Sequence, residues 1–254
     1  MSGLGGRVAL VTGASRGIGA ATAVLLAEQG ADIAINYHTS REAAEAVAGQ
    51  VRDVGRRAEI YQADIRSFDD CRRMVAAALS DFSKIDILVN NAGIGYETFG
   101  TPLVTDIDPD DMQQFLNYNT LGCLYMCKLV VPQMRALPRG DVIMVSSFSA
   151  QALRVRMGAY SVSKVGMEAL AKTLAKEERD HGIRVNIVAP GLVDTAMGDG
   201  FLGSVGAEKA AYASEAPFGF ICQPADVAAA IAFLVSESGR YITGERITIN
   251  GGGY

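Results

Sequence analysis

Tyr160 and Lys164 are the two residues whose types and spacing most directly suggest chemistry in this sequence. On a helix, a spacing of four residues brings the two Cβ atoms within about 5–6 Å of each other on one face. A tyrosine is almost wholly protonated at neutral pH, and a neighbouring ammonium stabilises its phenolate. The pair therefore predicts a phenol able to exchange a proton with a substrate; the alternative is one buried and one solvated helix residue.

The elements that would position this pair alternate along the whole chain. Short apolar runs predict strands over 7–12, 32–36, 58–61, 85–90, 141–146, 183–188 and 246–249, and longer amphipathic stretches predict helices over 17–29, 40–54, 68–82, 109–136, 158–180 and 224–236. Nearly continuous apolar strands that alternate with helices predict a parallel sheet covered on both faces, with right-handed crossovers. The expected fold class is α/β: a Rossmann-like doubly wound sheet of about seven parallel strands with helices on both faces.

Bulk composition narrows the functional class. The 254 residues, 49% of them hydrophobic, can form one large core, and with no linker in the pattern we expect a single domain over 1–254. The net charge of −5 argues against nucleic-acid or anionic-membrane partners. No apolar stretch reaches the ~18–20 residues of a membrane span, and the first residues do not resemble a signal peptide, so a cytoplasmic protein is expected. The four cysteines and two histidines form no metal-ligand pattern, and no metal is expected.

A glycine-rich segment follows the first predicted strand. Residues 12–19 place Gly13, Gly17 and Gly19 at the start of the first βαβ unit. Glycines allow a tight turn and a close approach of the backbone to a pyrophosphate, which the next helix N-terminus then faces. The segment predicts dinucleotide binding; the alternative is only a tight connection between strand and helix.

Together with four further motifs, this loop resembles the short-chain dehydrogenase/reductase family. The others are Asn90-Asn91-Ala92-Gly93, Asn119, Ser147 thirteen residues before the Tyr160/Lys164 pair, and Pro190-Gly191. They follow the family's order and spacing from residue 7 to about 254. By overall look the chain is most similar to beta-ketoacyl-acyl-carrier-protein reductases and bacterial glucose dehydrogenases.

The resemblance implies an oxidoreductase that transfers a hydride between a nicotinamide and a carbonyl or secondary alcohol. Tyr160 would donate the proton, Ser147 would hydrogen-bond the substrate oxygen, and Lys164 would assist Tyr160 and hold the nicotinamide ribose. Asn119 would hold a water near Lys164, although it also suits a polar surface position. Ser146 and Ser149 are rivals of Ser147. The implied cofactor-binding residues are Gly13, Ser15, Arg16, Gly17, Ile18, Gly19, Tyr37, Asp64, Ile65, Asn91, Ala92, Gly93, Tyr160, Lys164, Pro190, Gly191, Val193 and Thr195.

The end of the second predicted strand favours NADP over NAD. An NAD enzyme usually places an acid there to bond the adenosine ribose, and that acid would repel a 2′-phosphate. Here no acid follows the strand before Glu42, and Arg16 lies in the glycine loop. We therefore expect NADPH, with NAD possible; Arg16 as a solvated loop cation and His38 as a plain surface residue are the alternatives. For Asp64, the alternative to cofactor binding is an ordinary helix cap or loop residue.

Substrate choice is expected to reside in two loop-rich segments, 94–104 and 195–222. The second suggests a mobile lid with apolar residues. These residues suggest an apolar-lined pocket. The resemblance implies a ketone or beta-ketoacyl thioester reductase, with a sugar or polyol dehydrogenase, or a non-catalytic nucleotide sensor, as alternatives. An acyl carrier remains a possible partner, through basic residues near the active-site mouth: Arg135, Arg139, Arg154 and Arg156. The helix over 109–136, apolar on several faces, predicts a homo-oligomer, which we expect to be a homotetramer. The resemblance implies the same, with interfaces formed by this helix and the helix over 158–180.

Overall fold

A computed structural model of the chain describes residues 3–96, 99–216 and 218–253. Within these residues, seven parallel strands form one sheet in the order β3-β2-β1-β4-β5-β6-β7. The chain order reverses between β1 and β4, which is the switch point of a doubly wound sheet. The strands are β1 Val8–Val11, β2 Asp32–Tyr37, β3 Ala58–Gln62, β4 Ile87–Asn90, β5 Gly140–Val145, β6 Ile183–Pro190 and β7 Arg246–Ile249. The predicted fold class is confirmed.

Helices cover both faces of this sheet. They are α1 Gly17–Glu28, α2 Arg41–Asp53, α3 Phe68–Phe82, α4 Pro109–Leu116, α5 Gly122–Met134, α6 Ser149–Ala152, α7 Gly158–Glu178, α8 Ala196–Ser204, α9 Lys209–Glu215 and α10 Pro224–Val235. Successive side chains of β1 point to opposite faces: Ala9 and Val11 join a core with α1, α2 and α10, whereas Val8 and Leu10 join a core with α3, α5 and α7. Burial on both faces explains why the strands are apolar almost throughout.

The predicted elements occur with shifted ends, and two features differ from the sequence analysis. The helix predicted over 109–136 contains a π-helical turn, Asn117–Leu121, between α4 and α5. The segment 195–222, expected to be loop-rich, instead contains α8 and α9. The Thr195 side chain caps α8 by accepting a bond from the Gly198 amide at 3.1 Å, and Leu202 is buried, so capping and packing outweigh the poor helix propensity of glycine.

Parts of the two predicted substrate segments, Glu97, Thr98 and Pro217, lie outside the described residues. No helix in the described part of the chain is long and apolar enough to cross a membrane.

Candidate active site

A cleft of about 1320 Å³ runs along the carboxyl ends of the strands. Most of the predicted site residues line it: Gly13, Ser15, Arg16, Gly17, Ile18, Asp64, Ile65, Asn91, Ala92, Gly93, Ser147, Tyr160, Lys164, Pro190, Gly191, Val193 and Thr195. Residues more than a hundred positions apart in sequence thus meet at one edge of the sheet. Three predicted site residues, Gly19, Tyr37 and Asn119, lie behind the lining rather than in it.

Buried polar bonds hold the glycine loop in place at the switch point. The Gly13 amide donates to Asn36 Oδ1 at 3.1 Å, and Asn91 Nδ2 donates to the Thr12 carbonyl at 2.9 Å. Thr12 Oγ1 accepts bonds from the Asn91 and Ala92 amides, each at 3.0 Å. Gly13 has a φ of +62°, and a Cβ there would lie 2.9 Å from Ala92 Cα. The turn therefore requires glycine on both conformational and steric grounds.

The N-terminus of α1 faces the cleft without an internal cap. Among the described residues, no side chain caps its first amides, and its first turn carries no acid. Gly17 and Ile18 of this turn line the cleft, and a Cβ on Gly17 would lie 3.3 Å from Thr195 Cγ2. Open amides at the positive end of a helix suit an anion. The loop and helix therefore fit a dinucleotide pyrophosphate.

Gly19 allows α1 to pack closely against the glycine loop and does not itself line the cleft. A Cβ at Gly19 would lie 2.5 Å from Asn91 Nδ2 and 2.6 Å from the Gly13 carbonyl oxygen. Both distances are shorter than real contacts allow, so α1 approaches the loop as closely as it does only because residue 19 has no side chain.

At the adenosine end of the cleft, the placement of Tyr37 corrects the sequence analysis. Its side chain is 2% exposed and packs in the core, because β2 directs it to the face covered by α1 and α2. The cleft is lined here by the neighbouring Asn36, His38, Thr39 and Ser40. Asn36 bonds the Gly13 amide and lines the cleft, and it is a candidate site residue that the sequence analysis does not single out. Its signal is a polar side chain after the apolar run Ile33–Ile35 of the strand.

Asp64 lines the same end and is not a free carboxylate. Its Oδ2 accepts a bond from Arg66 Nη2 at 2.6 Å and lies 3.8 Å from His38 Nε2. Burial raises the pKa of the Asp64 carboxyl, but the bonds from Arg66 outweigh burial and hold it below its ordinary value. Arg66 also lies over the Tyr118 ring at 4.5 Å, so Asp64 belongs to an ordered cluster beside the cleft.

Asn119 is buried within the π-helical turn, which rules out the surface alternative. It is 0% exposed, its Oδ1 accepts from the Ile94 amide at 3.0 Å, and its Nδ2 donates to Ser163 Oγ at 3.0 Å. A Cβ added to Gly93 would lie 2.6 Å from Asn119 Oδ1 and 3.5 Å from Lys164 Nζ. Asn119 thus joins the segment after β4 to α7 beside Lys164, and π-turns often occur at such sites.

The structure brings Tyr160 and Lys164 together on the cleft face of α7. Tyr160 is 9% and Lys164 4% exposed, and Lys164 Nζ lies 5.7 Å from the centre of the Tyr160 ring. The ammonium donates to the Val145 carbonyl at 3.0 Å, at the end of β5. Burial lowers the pKa of Lys164 to about 8, whereas Cys123 and Glu168 act in the opposite direction. Lys164 is therefore a buried cation beside the phenol at neutral pH.

Ser147 follows β5 and lines the same cleft. Its Oγ accepts a bond from the Ser149 amide at 3.1 Å, which leaves the hydroxyl hydrogen to point elsewhere. The rival Ser146 donates its own hydroxyl hydrogen to Glu168 Oε1 at 2.7 Å. This difference favours Ser147 over Ser146 as a donor to a substrate oxygen.

Aromatic and apolar side chains surround the region beyond Tyr160. The ring centre of Tyr96 lies 5.0 Å from that of Tyr160 and 6.1 Å from that of Phe201. The Tyr96 hydroxyl donates to the Met157 carbonyl at 2.7 Å, which fixes the ring against the site. Phe218 and Phe220 line the cleft from the lid. Tyr96 is a second residue that the sequence analysis did not single out, since it lies in a segment without a periodic pattern.

Comparison with known proteins agrees with this geometry. The family model described as Enoyl-(Acyl carrier protein) reductase matches residues 13–253. The chain is 36% identical to an NADPH-dependent aldehyde reductase-like protein of Arabidopsis thaliana, over 98% of this chain and 94% of the relative. It is 35% identical to the 3-oxoacyl-[acyl-carrier-protein] reductase of Staphylococcus aureus, over 97% of both.

Solved structures of known proteins are also similar to this chain in fold and sequence. A short-chain dehydrogenase from Burkholderia cenocepacia in complex with NADP has a TM-score of 0.87 and 37% identity, with 98% of each chain covered. The 3-ketoacyl-(acyl-carrier-protein) reductase from Brucella melitensis, complexed with NADH, has a TM-score of 0.87 and 31% identity over 98% of each chain. A 7α-hydroxysteroid dehydrogenase has a TM-score of 0.90 and 29% identity, over 99% of this chain and 95% of that one.

The chain belongs to the short-chain dehydrogenase/reductase family. It is an oxidoreductase that acts on CH–OH groups with a nicotinamide cofactor. Homologues of the chain bind NADP or NADH.

Proposed function

We propose that the protein is an NADPH-dependent reductase of ketones with an apolar body, a class that includes beta-ketoacyl thioesters. The main observation behind this proposal is that Tyr160, Lys164 and Ser147 line the same cleft as the glycine loop. The bound nicotinamide would supply the hydride, which no side chain can do. The residues of this chain then have to move one proton and stabilise charge on the substrate oxygen.

Two hydroxyl groups share that work in the proposed mechanism. Ser147 donates a hydrogen bond to the carbonyl oxygen, and Tyr160 gives its proton to the same oxygen as the carbonyl is reduced. The Lys164 ammonium stabilises the phenolate that remains, because it is held beside the ring by the Val145 carbonyl. Asn119 fixes the segment after β4 against α7, beside Tyr160 and Lys164.

The preference for NADPH rests on the charges at the adenosine end. Arg16 lines the cleft and has no ion-pair partner among the described residues. The acid at this end, Asp64, is held by Arg66. The segment after β2 presents His38, Thr39 and Ser40 to the cleft, and none of these repels a 2′-phosphate. A free guanidinium supports recognition of a phosphate dianion.

The preference for an apolar ketone rests on the lining beyond Tyr160. Tyr96, Met157, Phe201, Phe218 and Phe220 line this part of the cleft. A sugar would leave several hydroxyl groups without partners against such a wall, at a cost for each unpaired group. This lining therefore favours a ketone over glucose or a polyol.

Two of the four arginines proposed for an acyl carrier are engaged elsewhere. Arg135 pairs with Glu178, with Nη2 2.6 Å from Oε1, and Arg139 pairs with Asp141 at 3.1 Å and Glu237 at 3.2 Å. These pairs neutralise both cations and support a substrate of low molecular weight over a thioester held on an acidic carrier protein.

A cofactor and substrate panel tests the proposal. Purified protein is given NADPH or NADH with an apolar ketone, a beta-ketoacyl coenzyme A thioester, or no carbonyl, and separately NADP⁺ with glucose. We expect NADPH oxidation with the ketone or thioester, and slower turnover with NADH. Turnover of glucose alone, or of no carbonyl, would contradict the proposal.

We also propose a homotetramer. Leu124 on α5 and Val162 and Val165 on α7 are exposed apolar residues, with 39%, 51% and 43% exposure. Helices with an apolar outer face usually bury it against a partner. Light scattering at micromolar concentration is expected to give four times the chain mass, and a monomer would contradict this.

A further inference from the structure

A largely buried ion pair lies next to Ser147 and outside the cleft lining. Arg246 begins β7 and Glu168 lies on α7, and their side chains are 13% and 12% exposed. Arg246 Nε donates to Glu168 Oε1 at 2.9 Å, and Ser146 Oγ donates to the same oxygen at 2.7 Å. Among the described residues that line the cleft, neither member of the pair is present. The pair therefore does not contact a substrate held there.

The Arg246 guanidinium reaches both sides of Ser147. Its Nη2 donates to the Ser147 carbonyl at 3.1 Å, and its Nη1 donates to Gln151 Oε1 at 2.9 Å. Gln151 lies on α6, which begins two residues after Ser147. The backbone at Ser147 is thus tied on one side through Ser146 to Glu168, and on the other through its own carbonyl and α6 to Arg246.

This arrangement connects Ser147 to the helix that carries Tyr160 and Lys164. Glu168 lies one helical turn beyond Lys164 and two turns beyond Tyr160, on the same helix. Lys164 Nζ bonds the Val145 carbonyl, two residues before Ser147, so α7 is already tied to the end of β5. The Arg246–Glu168 pair adds bonds to Ser146 and to the Ser147 carbonyl, and so bears directly on where the serine hydroxyl lies relative to that of Tyr160.

We infer that Arg246 and Glu168 are positioning residues, which hold the Ser147 hydroxyl where it and the Tyr160 hydroxyl reach the same substrate oxygen. The inference rests on the role proposed above for Ser147. It requires an arginine, because only a planar fork of donors bonds a carboxylate, a carbonyl and an amide oxygen at once. A lysine keeps the charge, but its three donors share one nitrogen and cannot reach three oxygens spread around Ser147.

A double-mutant cycle tests the inference. We expect Ser147→Ala to lower kcat by about 10²–10³-fold, as for the loss of one donor to a developing oxyanion. Arg246→Lys should lower kcat by roughly 10–100-fold through misplacement of that donor. It should leave the NADPH dissociation constant unchanged. In the Ser147→Ala background, Arg246→Lys should cost no further activity, because a residue that acts through Ser147 has nothing left to position.

Arg139→Lys is the matched control. Arg139 makes a similar set of bonds, to Asp141, Glu237 and the Val235 carbonyl, at the start of β5 and away from Ser147. It should lower the melting temperature as Arg246→Lys does, with kcat unchanged. If Arg246→Lys does not fold, Arg246→Met combined with Glu168→Leu replaces the whole pair by apolar side chains, a change that proteins often tolerate. The same non-additivity with Ser147→Ala is then expected.

The outcomes separate the inference from the proposed function. Losses that multiply in the double variant, or an equal loss of kcat in Arg139→Lys, would show a general structural role and overturn the inference. A Ser147→Ala variant with wild-type kcat would instead overturn the role proposed for the serine itself. A large loss in Ser147→Ala, a loss in Arg246→Lys alone, and no further loss when the two are combined support both, whereas wild-type kcat in Arg246→Lys alone would overturn the inference.

Discussion

The glycine loop and the lid both line one cleft, and they differ in the bonds that hold them. Residues 12–19 are bonded to the buried ends of neighbouring strands, for example from Gly13 N to Asn36 Oδ1 at 3.1 Å. The lid, residues 195–222, buries Leu202 but is otherwise bonded through charges near the surface: Lys209 Nζ lies 2.5 Å from Asp194 and 3.0 Å from Asp199. Two aromatic side chains of the lid, Phe218 and Phe220, are 73% and 54% exposed.

This difference assigns different tasks to the two regions. Breaking a buried hydrogen bond leaves a polar group without a partner, so the cofactor side is rigid and intolerant of change. Exposed ion pairs contribute little and are screened by salt, so the lid can move and vary at small cost. We therefore expect residues 195–222 to tolerate substitution better than residues 12–19.

The largest expected effect comes from removing the proposed proton donor, which leaves both regions intact. Tyr160→Phe should lower turnover by roughly 10²–10⁴-fold, the usual contribution of a general acid. NADPH affinity should change no more than about threefold, because the ring and its packing remain. Tyr96→Phe is the matched control: it loses a hydroxyl that donates to the Met157 carbonyl but keeps the ring, and should keep most activity. A Tyr160→Phe variant with a tenth of wild-type turnover would remove Tyr160 from the acid role.

The second prediction compares a glycine-to-alanine substitution in the glycine loop segment with one in the lid. Gly19→Ala should destabilise the fold by about 1–3 kcal/mol through overpacking, and weaken NADPH binding, because its Cβ would meet Asn91 Nδ2 at 2.5 Å. Gly203→Ala, in helix α8 of the lid, should be neutral or stabilising by up to about 1 kcal/mol, since no described atom lies within 4 Å of its Cβ. Urea denaturation measures both. Equal losses at the two sites would contradict the proposed difference in rigidity.

The third prediction concerns the charge at the adenosine end. Arg16→Ala should weaken NADPH binding about 10- to 100-fold, the equivalent of one charge-assisted bond of roughly 1.5–3 kcal/mol, and leave NADH binding nearly unchanged. Arg179→Ala, an exposed cation after α7, is the control and should change neither affinity. Titration of both cofactors against wild type and Arg16→Ala tests whether Arg16 recognises the 2′-phosphate. Tighter binding of NADH by the wild type, or equal weakening of both cofactors by the substitution, would show that Arg16 is a general loop cation.

An acid at the end of β2 should shift the cofactor preference from NADPH toward NADH. The structure indicates that the acid belongs at position 38 and not at position 37. His38→Asp puts a carboxylate into the cleft, where it repels a 2′-phosphate and can bond the ribose of NADH. The same change at Tyr37 would place the charge in the core, where burial is costly.

The smallest expected effect is a pH dependence of cofactor binding. Burial lowers the pKa of Lys164 to about 8, so raising the pH from 7 to 9 removes its proton. A neutral amine bonds the ribose hydroxyls less strongly than an ammonium, and NADPH affinity should fall about fivefold over this range. Fluorescence titration measures it. The Lys164→Met variant should bind weakly and equally at every pH, and a flat wild-type profile would count against a titrating Lys164.

The sequence predicts the cofactor side of the molecule better than the lid. The glycine spacing, the strand alternation and the Tyr160/Lys164 spacing are local patterns, and local patterns can be read directly. Tyr37 is placed wrongly because its side chain packs in the core together with Ile33 and Ile35 of the same strand face, and the sequence does not show that this core extends to the last residue of β2. The helix α8 was missed because its glycines lower helix propensity, whereas the Thr195 cap and the burial of Leu202 are tertiary facts.

The positioning role proposed for Arg246 lay beyond sequence reasoning for the same kind of reason. Its partners, Glu168 and Ser147, lie 78 and 99 residues away in the chain. Only the folded sheet brings β7, α7 and the loop after β5 into one network. Its sequence signal was a charged residue at the start of an otherwise apolar last strand.

The central claim, direct hydride transfer from NADPH to a substrate carbonyl at Tyr160, is tested most directly by an isotope label. The protein is supplied with a ketone from the panel and with NADPH that carries deuterium on the transferring face of the nicotinamide. The proposal predicts a product alcohol with one deuterium on the carbinol carbon, and almost no product from Tyr160→Phe. NADPH consumed without label in the product, or labelled product formed at the wild-type rate by Tyr160→Phe, would contradict it.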